Sequence, residues 1–173
     1  MSNPPDQMYN VFEKVEANHV PLSPLSFLPR VANIFPNRTA VIYGNRKYSW
    51  IEFYNRCRRL ASSIKKLGIS KGDTVSVIAA NTPEMIEAHY GISMAGGVLN
   101  SINIRLDSQT IAYILEHSEA KILITDSAFS STVKEAIALI EKKDLIVVDI
   151  IDDQANVEKT NLGNINYEDL LKT

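Results

Sequence analysis

Cysteine is nearly missing from this 173-residue chain. The single thiol, Cys57, has no partner for an internal disulfide, so a disulfide-stapled secreted scaffold and a cysteine-rich zinc module are both excluded. An excess of one charge is missing too: 18 basic and 20 acidic residues leave a formal net charge of -2, which supplies no field for capturing nucleic acid or an anionic membrane. Long apolar runs are lacking. The strongest, LIVVDII at 145–151, is broken by Asp149 and falls far short of the about 20 residues that a membrane-spanning helix needs. The opening MSNPPDQMYN carries no basic stretch followed by an apolar one, as a secretory leader would. These absences point to a cytoplasmic protein in a reducing compartment. Glycine is sparse as well, yet Gly91, Gly96 and Gly97 crowd into HYGISMAGGVLNSIN.

What is present is enough apolar material for one ordinary core, 45% of the residues, with 22% charged. Residues 1–38 hold most of the prolines and little periodicity, and read as an extended arm ending in a short helix near SFLPRVANIF. TAVIYGNRKYSW predicts two strands around a Gly44-Asn45 turn. A helix should follow from Ser49, which with Glu52 makes the S-x-x-E capping box. Phe53, Cys57, Leu60, Ile64 and Leu67 recur on its inner face, and Gly68 stops it. TVSVIAA, VLNSIN, KILITD and LIVVDII read as strands, separated by helices starting at Pro83, after Asp107 and after Asp126. Strands alternating with helices predict an α/β fold, a mostly parallel sheet with helices on both faces, over residues 39–151. Residues 152–173 read as a polar connector and one short helix, NYEDLLKT. The expected core includes Phe53, Leu60, Ile64, Val75, Val77, Ile86, Tyr90, Ile114, Leu123 and Val133.

The glycine cluster is a poor phosphate cradle. A phosphate-binding loop needs glycines at a helix start with a lysine and a hydroxyl beside them, whereas these sit where a helix should end, and no Lys or Arg occurs between 85 and 104. A helix buried on every side, stopped by Gly96 and Gly97, accounts for them better. Arg56, Arg59 and Lys66 are expected on a solvated helix face, with Glu52 partly pairing Arg56. His19, His89 and His117 lack neighbours at metal-ligand spacing, so no metal site is expected. His89, on the expected buried helix, is either a hydrogen-bonded core histidine or part of a substrate pocket. Asp149, Asp152 and Asp153 follow the last strand, where a phosphoacceptor would be misplaced, and read as a surface turn.

From NRTAVIYG to NSINIRL the sequence resembles the N-terminal part of AMP-forming acyl-CoA synthetases of the adenylate-forming superfamily. YSWIEFYNRCRRLA looks like the first core motif of that superfamily and GISMAGGVLNSIN like the second, the likeness running from about Leu22 to Asp126. PLSFLPRVANIFPNRTAVIYG, PEMIEAHYG and NIRLD are most similar to the short- and medium-chain group that includes methylmercaptopropionate-CoA ligases and plant butyrate or benzoate acyl-activating enzymes. The resemblance implies a two-step reaction in the full-length family, in which ATP and a carboxylic acid give an acyl-adenylate and coenzyme A then displaces AMP. It implies ATP, Mg and coenzyme A for that family and none for this chain alone, because the phosphate loop TSGTTGxPKG and the catalytic lysine have no match here. No catalytic residue is expected, and Ala88, His89 and Met94 are carried as support for the acyl pocket. A small carboxylic acid is the expected partner, with neither nucleic acid nor a membrane span, and a homo-oligomer stays open. The alternative is a stand-alone, non-catalytic α/β interaction domain derived from such an enzyme.

Overall fold

The computed structural model describes residues 15, 19, 20, 23–141, 144–155 and 160–172, so most of the expected N-terminal arm lies outside the described residues. Helix α1 (Pro24–Ile34) is capped by Ser23 and leads into an antiparallel hairpin of β1 (Thr39–Tyr43) and β2 (Arg46–Ser49). Gly44 turns the hairpin with a positive φ of 55°. Helix α2 (Trp50–Lys66) opens on the expected capping box: the Glu52 amide donates to Ser49 Oγ, and the Ser49 amide donates to the Glu52 carboxylate at 2.7 Å. Such a cap contributes about 1 kcal/mol.

Five strands then form one parallel sheet. They are β3 (Thr74–Ile78), β4 (Val98–Ser101), β5 (Ile122–Asp126), β6 (Ile146–Ile150) and β7 (Ile165–Asn166), in the spatial order β4-β3-β5-β6-β7. Between them run α3 (Pro83–Ala95), α4 (Ser108–His117) and α5 (Ser130–Leu139), and α6 (Tyr167–Leu170) follows β7. Because side chains alternate along a strand, Val75, Val77, Ile122 and Ile124 pack with Leu60, Ile64, Ala88 and Ile92 of α2 and α3. On the opposite face Leu123 and Ile78 join Ile111, Leu115, Val133 and Ala136 of α4 and α5. A third cluster, Leu28, Phe53 and Cys57, ties α1 and the hairpin to α2. The α/β expectation holds, with helices on both faces of the sheet.

Helix α3 differs from its expectation. Its buried face is Glu84, Glu87, Ala88, Gly91, Ile92 and Ala95, while Ile86 is 42% exposed and His89 and Ser93 face outward. The helix lies as an outer layer against α2, so one side alone is covered, and the two glutamates are on that side. Ile86 therefore leaves the expected core, and Tyr90 and Ile114 are half-buried. Gly91 lets α3 approach α2: a Cβ there would lie 2.7 Å from Leu60 Cδ2. Gly96 ends the helix at φ 86°, where an L side chain is strained.

Candidate functional site

Order β4-β3-β5 makes the carboxyl ends of β3 and β5 the place where connections leave toward opposite sheet edges, and doubly wound sheets generally bind their ligands in that crevice. Three carboxylates gather around it. Glu84 sits in the first turn of α3, Asp126 ends β5, and Asp152 follows β6. All three are buried. The β1-β2 hairpin reaches over them. Arg46 Nη1 donates to Glu84 Oε1 at 2.7 Å, Arg46 Nη2 lies 3.7 Å from Asp152 Oδ1, and the Tyr43 hydroxyl donates to Asp152 Oδ2. The Asp152 hydrogen bond, with burial, pushes the Tyr43 phenol up to about 12, and burial raises the Asp126 carboxyl. The Arg46 guanidinium also stacks on the Tyr43 ring, 5.0 Å from its centroid.

A second polar cluster lies between α2, α3 and α6. Arg56 donates from Nε to Glu87 Oε1 and from Nη2 to Glu87 Oε2 at 3.2 Å, and also reaches Glu168 through Nη1 at 3.0 Å and through Nη2. The Tyr167 hydroxyl donates to Glu87 Oε2 at 2.9 Å. Two carboxylates thus share one guanidinium. Burial outweighs Arg56 at the deeper one and pushes Glu87 up to about 7, whereas hydrogen bonding to Arg56 lowers Glu168, which is half exposed. The neighbouring Cys57 thiol is raised by burial and then by Glu87, so it stays protonated and unreactive.

Several sequence expectations are corrected by this geometry. Arg56 is only 12% exposed and pairs Glu87 and Glu168, because α3 and α6 cover that part of α2; the Glu52 carboxylate serves the cap instead. Arg59 and Lys66 are exposed, as expected. Asp149 and Asp152 are buried rather than on a surface turn. The loop after β6 folds back, so that Asp149 accepts from the Leu162 and Gly163 amides at 2.8–3.1 Å. His89 is exposed and its Nδ1 lies 2.8 Å from the Met85 carbonyl one turn back, so it is not a core histidine. Ala88 is buried against the α2-side core and Met94 is half-buried between that core and the Phe53 cluster. Of the three residues carried as pocket support, Ala88 and Met94 thus pack against the same core, while His89 lies on the outer surface of α3.

Nucleotide phosphates find no cradle in the glycine cluster. The Gly96 amide donates to Ser93 and the Gly97 amide to Ile92, so both are committed to closing α3. Among the described residues no three His, Cys, Asp or Glu side chains are grouped to hold a metal ion, and no helix is long and apolar enough to cross a membrane. The polar arrangements missed by sequence reading are the two Arg-Glu clusters. Their one signal was the spacing Glu84, Glu87, Ala88, Gly91, Ile92, Ala95, a single helical face in which two carboxylates keep company with small apolar residues.

Comparison with known proteins agrees with the fold. The AMP-binding enzyme family matches residues 28–169. Relatives from Arabidopsis thaliana include a peroxisomal benzoate-CoA ligase, 42% identical over 91% of this chain and 28% of its own length. A peroxisomal butyrate-CoA ligase from the same plant is 49% identical over 72% of this chain and 22% of its own. Among solved structures, a benzoate CoA ligase from Burkholderia xenovorans superposes with a TM-score of 0.73 at 23% identity, covering 86% of this chain and 28% of that one. An anthranilate CoA ligase reaches 0.75 at 21%, covering 86% and 27%. The chain spans less than a third of the length of the curated relatives it matches. With four-fifths of its residues inside the family match, the chain belongs to the AMP-binding enzymes.

Proposed function

We propose that this chain is the N-terminal portion of an AMP-forming acyl-CoA ligase acting on a short or medium carboxylic acid, and that by itself it is a scaffold rather than a catalyst. The observation that carries the reading is the relatives' identity, 42% over nine-tenths of the chain, set against the three-tenths of their length that it spans. Their names are those of CoA ligases and acyl-activating enzymes, which favours a ligase portion over a stand-alone interaction domain. ATP, Mg and coenzyme A belong to the longer polypeptide in this reading. A triphosphate needs a prepared set of N-H donors and cations. The committed glycine amides and the carboxylate-lined crevice of this chain offer neither.

Residues after 152 would carry the chain toward the nucleotide-binding segment, and α3 would support the acyl side of the pocket through Ala88 and Met94, with His89 on its outer surface. A cytoplasmic location is part of the proposal, against which stand relatives named as peroxisomal; fluorescence localisation of the tagged longer protein decides between them. The central test is pyrophosphate exchange over a panel of carboxylic acids, run on the 173-residue chain and on the longer polypeptide. Acid-dependent exchange is expected from the longer protein alone. Exchange by the short chain, or saturable micromolar Mg-ATP binding to it in calorimetry, would overturn the scaffold reading. In the longer enzyme, enlarging Ala88 or Met94 should shift chain-length preference, and lost stability with unchanged preference would leave them core residues only.

A further inference from the structure

We infer that the crevice at the carboxyl ends of β3 and β5 is a guanidinium-binding site, filled in cis by the Arg46 side chain of the hairpin. The inference is independent of the ligase reading, since it concerns what this chain does with its own sheet. The position is where a doubly wound sheet offers a ligand site. Its walls are chemically suited to one cation: Glu84 and Asp152, each 3% exposed, are approached by Arg46 from the separate hairpin, with the buried Asp126 nearby.

The fit of Arg46 in the crevice is incomplete. Arg46 spends one hydrogen bond, Nη1 to Glu84 Oε1. Its Nε and Nη2 are buried without partners, and so are Glu84 Oε2 and the Thr82 hydroxyl at the N-cap of α3. The 3.7 Å from Nη2 to Asp152 is a charge contact too long for a hydrogen bond. Arg46 and Glu84 line a cavity of 30 Å³ with Ile150, Asn166 and Tyr167, room for about one water molecule. The two residues that carry the unused donors and the unused acceptor thus line one small space. A planar cation released from the hairpin tether could settle deeper and engage more of them. A metal ion is the wrong occupant, because the carboxylates are not grouped as ligands.

The test is chemical rescue of the 173-residue chain. Arg46→Ala should melt at lower temperature than the parent. Guanidinium chloride at low millimolar concentration should then raise its Tm saturably, by about 4 °C at roughly ten times the dissociation constant. Ammonium chloride at equal ionic strength should not, and the parent chain, whose site is filled, should not respond. Adding Glu84→Gln to Arg46→Ala should abolish the rescue. Should Arg46→Ala fail to fold, Arg46→Met keeps the stem against Tyr43 and removes the charge alone, and the refolding yield of either variant with and without guanidinium replaces the melt. Rescue of yield by guanidinium alone supports the site. Equal responses of parent and variant, equal action of ammonium, or no guanidinium-specific gain in melt or yield would overturn it.

Discussion

Two clusters in this molecule use the same parts with opposite completeness. In each, an arginine from the hairpin-α2 segment stacks on a hairpin tyrosine, Arg46 on Tyr43 and Arg56 on Tyr48, and pairs a glutamate on the buried face of α3, Glu84 or Glu87. Around Glu87 the bonding is dense: Arg56 spans both carboxylates, Tyr167 adds a hydroxyl, and none of the unpartnered buried atoms among the described residues belongs to the cluster. Around Glu84 four polar atoms are left over. A buried charge is tolerated when its remaining hydrogen-bonding capacity is met, so the Glu87 cluster works as a clamp that docks α6 onto α2 and α3. The Glu84 cluster is a half-filled receptor.

The largest expected effect breaks the clamp. Arg56→Ala leaves the buried Glu87 with Tyr167 as its one remaining side-chain donor and takes the cation from Glu168, and should cost about 3–5 kcal/mol in urea unfolding, because one partner of a buried ion pair is removed. A loss under 1 kcal/mol would mean that the cluster is not the clamp its bonding describes.

Next in size is a pH effect at Glu87. Its folded value, about 7, stands above that of an unfolded glutamate, so the folded state holds the proton more tightly. That contribution is fully present below about pH 4.5, declines as pH rises, and is gone above about 7; over the window it amounts to roughly 3 kcal/mol. Glu168 is lowered by its hydrogen bond to Arg56, so it takes up a proton at lower pH than Glu87 does. The stability difference between the parent and Glu87→Gln, measured from pH 4 to 8, should therefore shrink with rising pH. A difference that stays flat or grows would reverse the assignment.

Two hydroxyl deletions sharpen the contrast at the small end. Tyr167→Phe removes a donor from a buried carboxylate and should cost about 1–2 kcal/mol. Thr82→Val removes a buried hydroxyl that makes no bond, at a cap residue already in extended conformation (φ -96°, ψ 166°), and should be neutral or slightly stabilising. Thermal melts of both variants compare the clusters directly. Equal losses would show that the Thr82 hydroxyl has a partner after all.

Much of this was legible from residue order. The capping box at Ser49, the α2 stripe and the glycine stop of α3 are local devices, set by residues within one or two turns of each other, and they appear where periodicity and cap chemistry put them. The sheet and its α/β alternation followed from the same local signals. What periodicity misread was α3. The helix was expected to be buried on every side with Ile86 in the core, whereas one face alone is covered and that face carries Glu84 and Glu87, residues that are normally outward.

Which face of α3 is covered depends on charges far away in the chain. Arg46 is 38 residues from Glu84, Arg56 is 31 from Glu87, and Glu168 is 112 from Arg56; no window of sequence contains both members of such a pair with its geometry. The same holds for Asp149 and Asp152, read as a turn until the returning segment at 162–163 and the hairpin Tyr43 supplied their donors. Sequence by itself determined the elements, the fold class and the family resemblance, because each rests on short-range propensity or on contiguous motifs. Tertiary structure alone decided which polar groups are buried, since the desolvation of a carboxylate becomes tolerable only once a distant cation or amide has been brought within hydrogen-bonding distance.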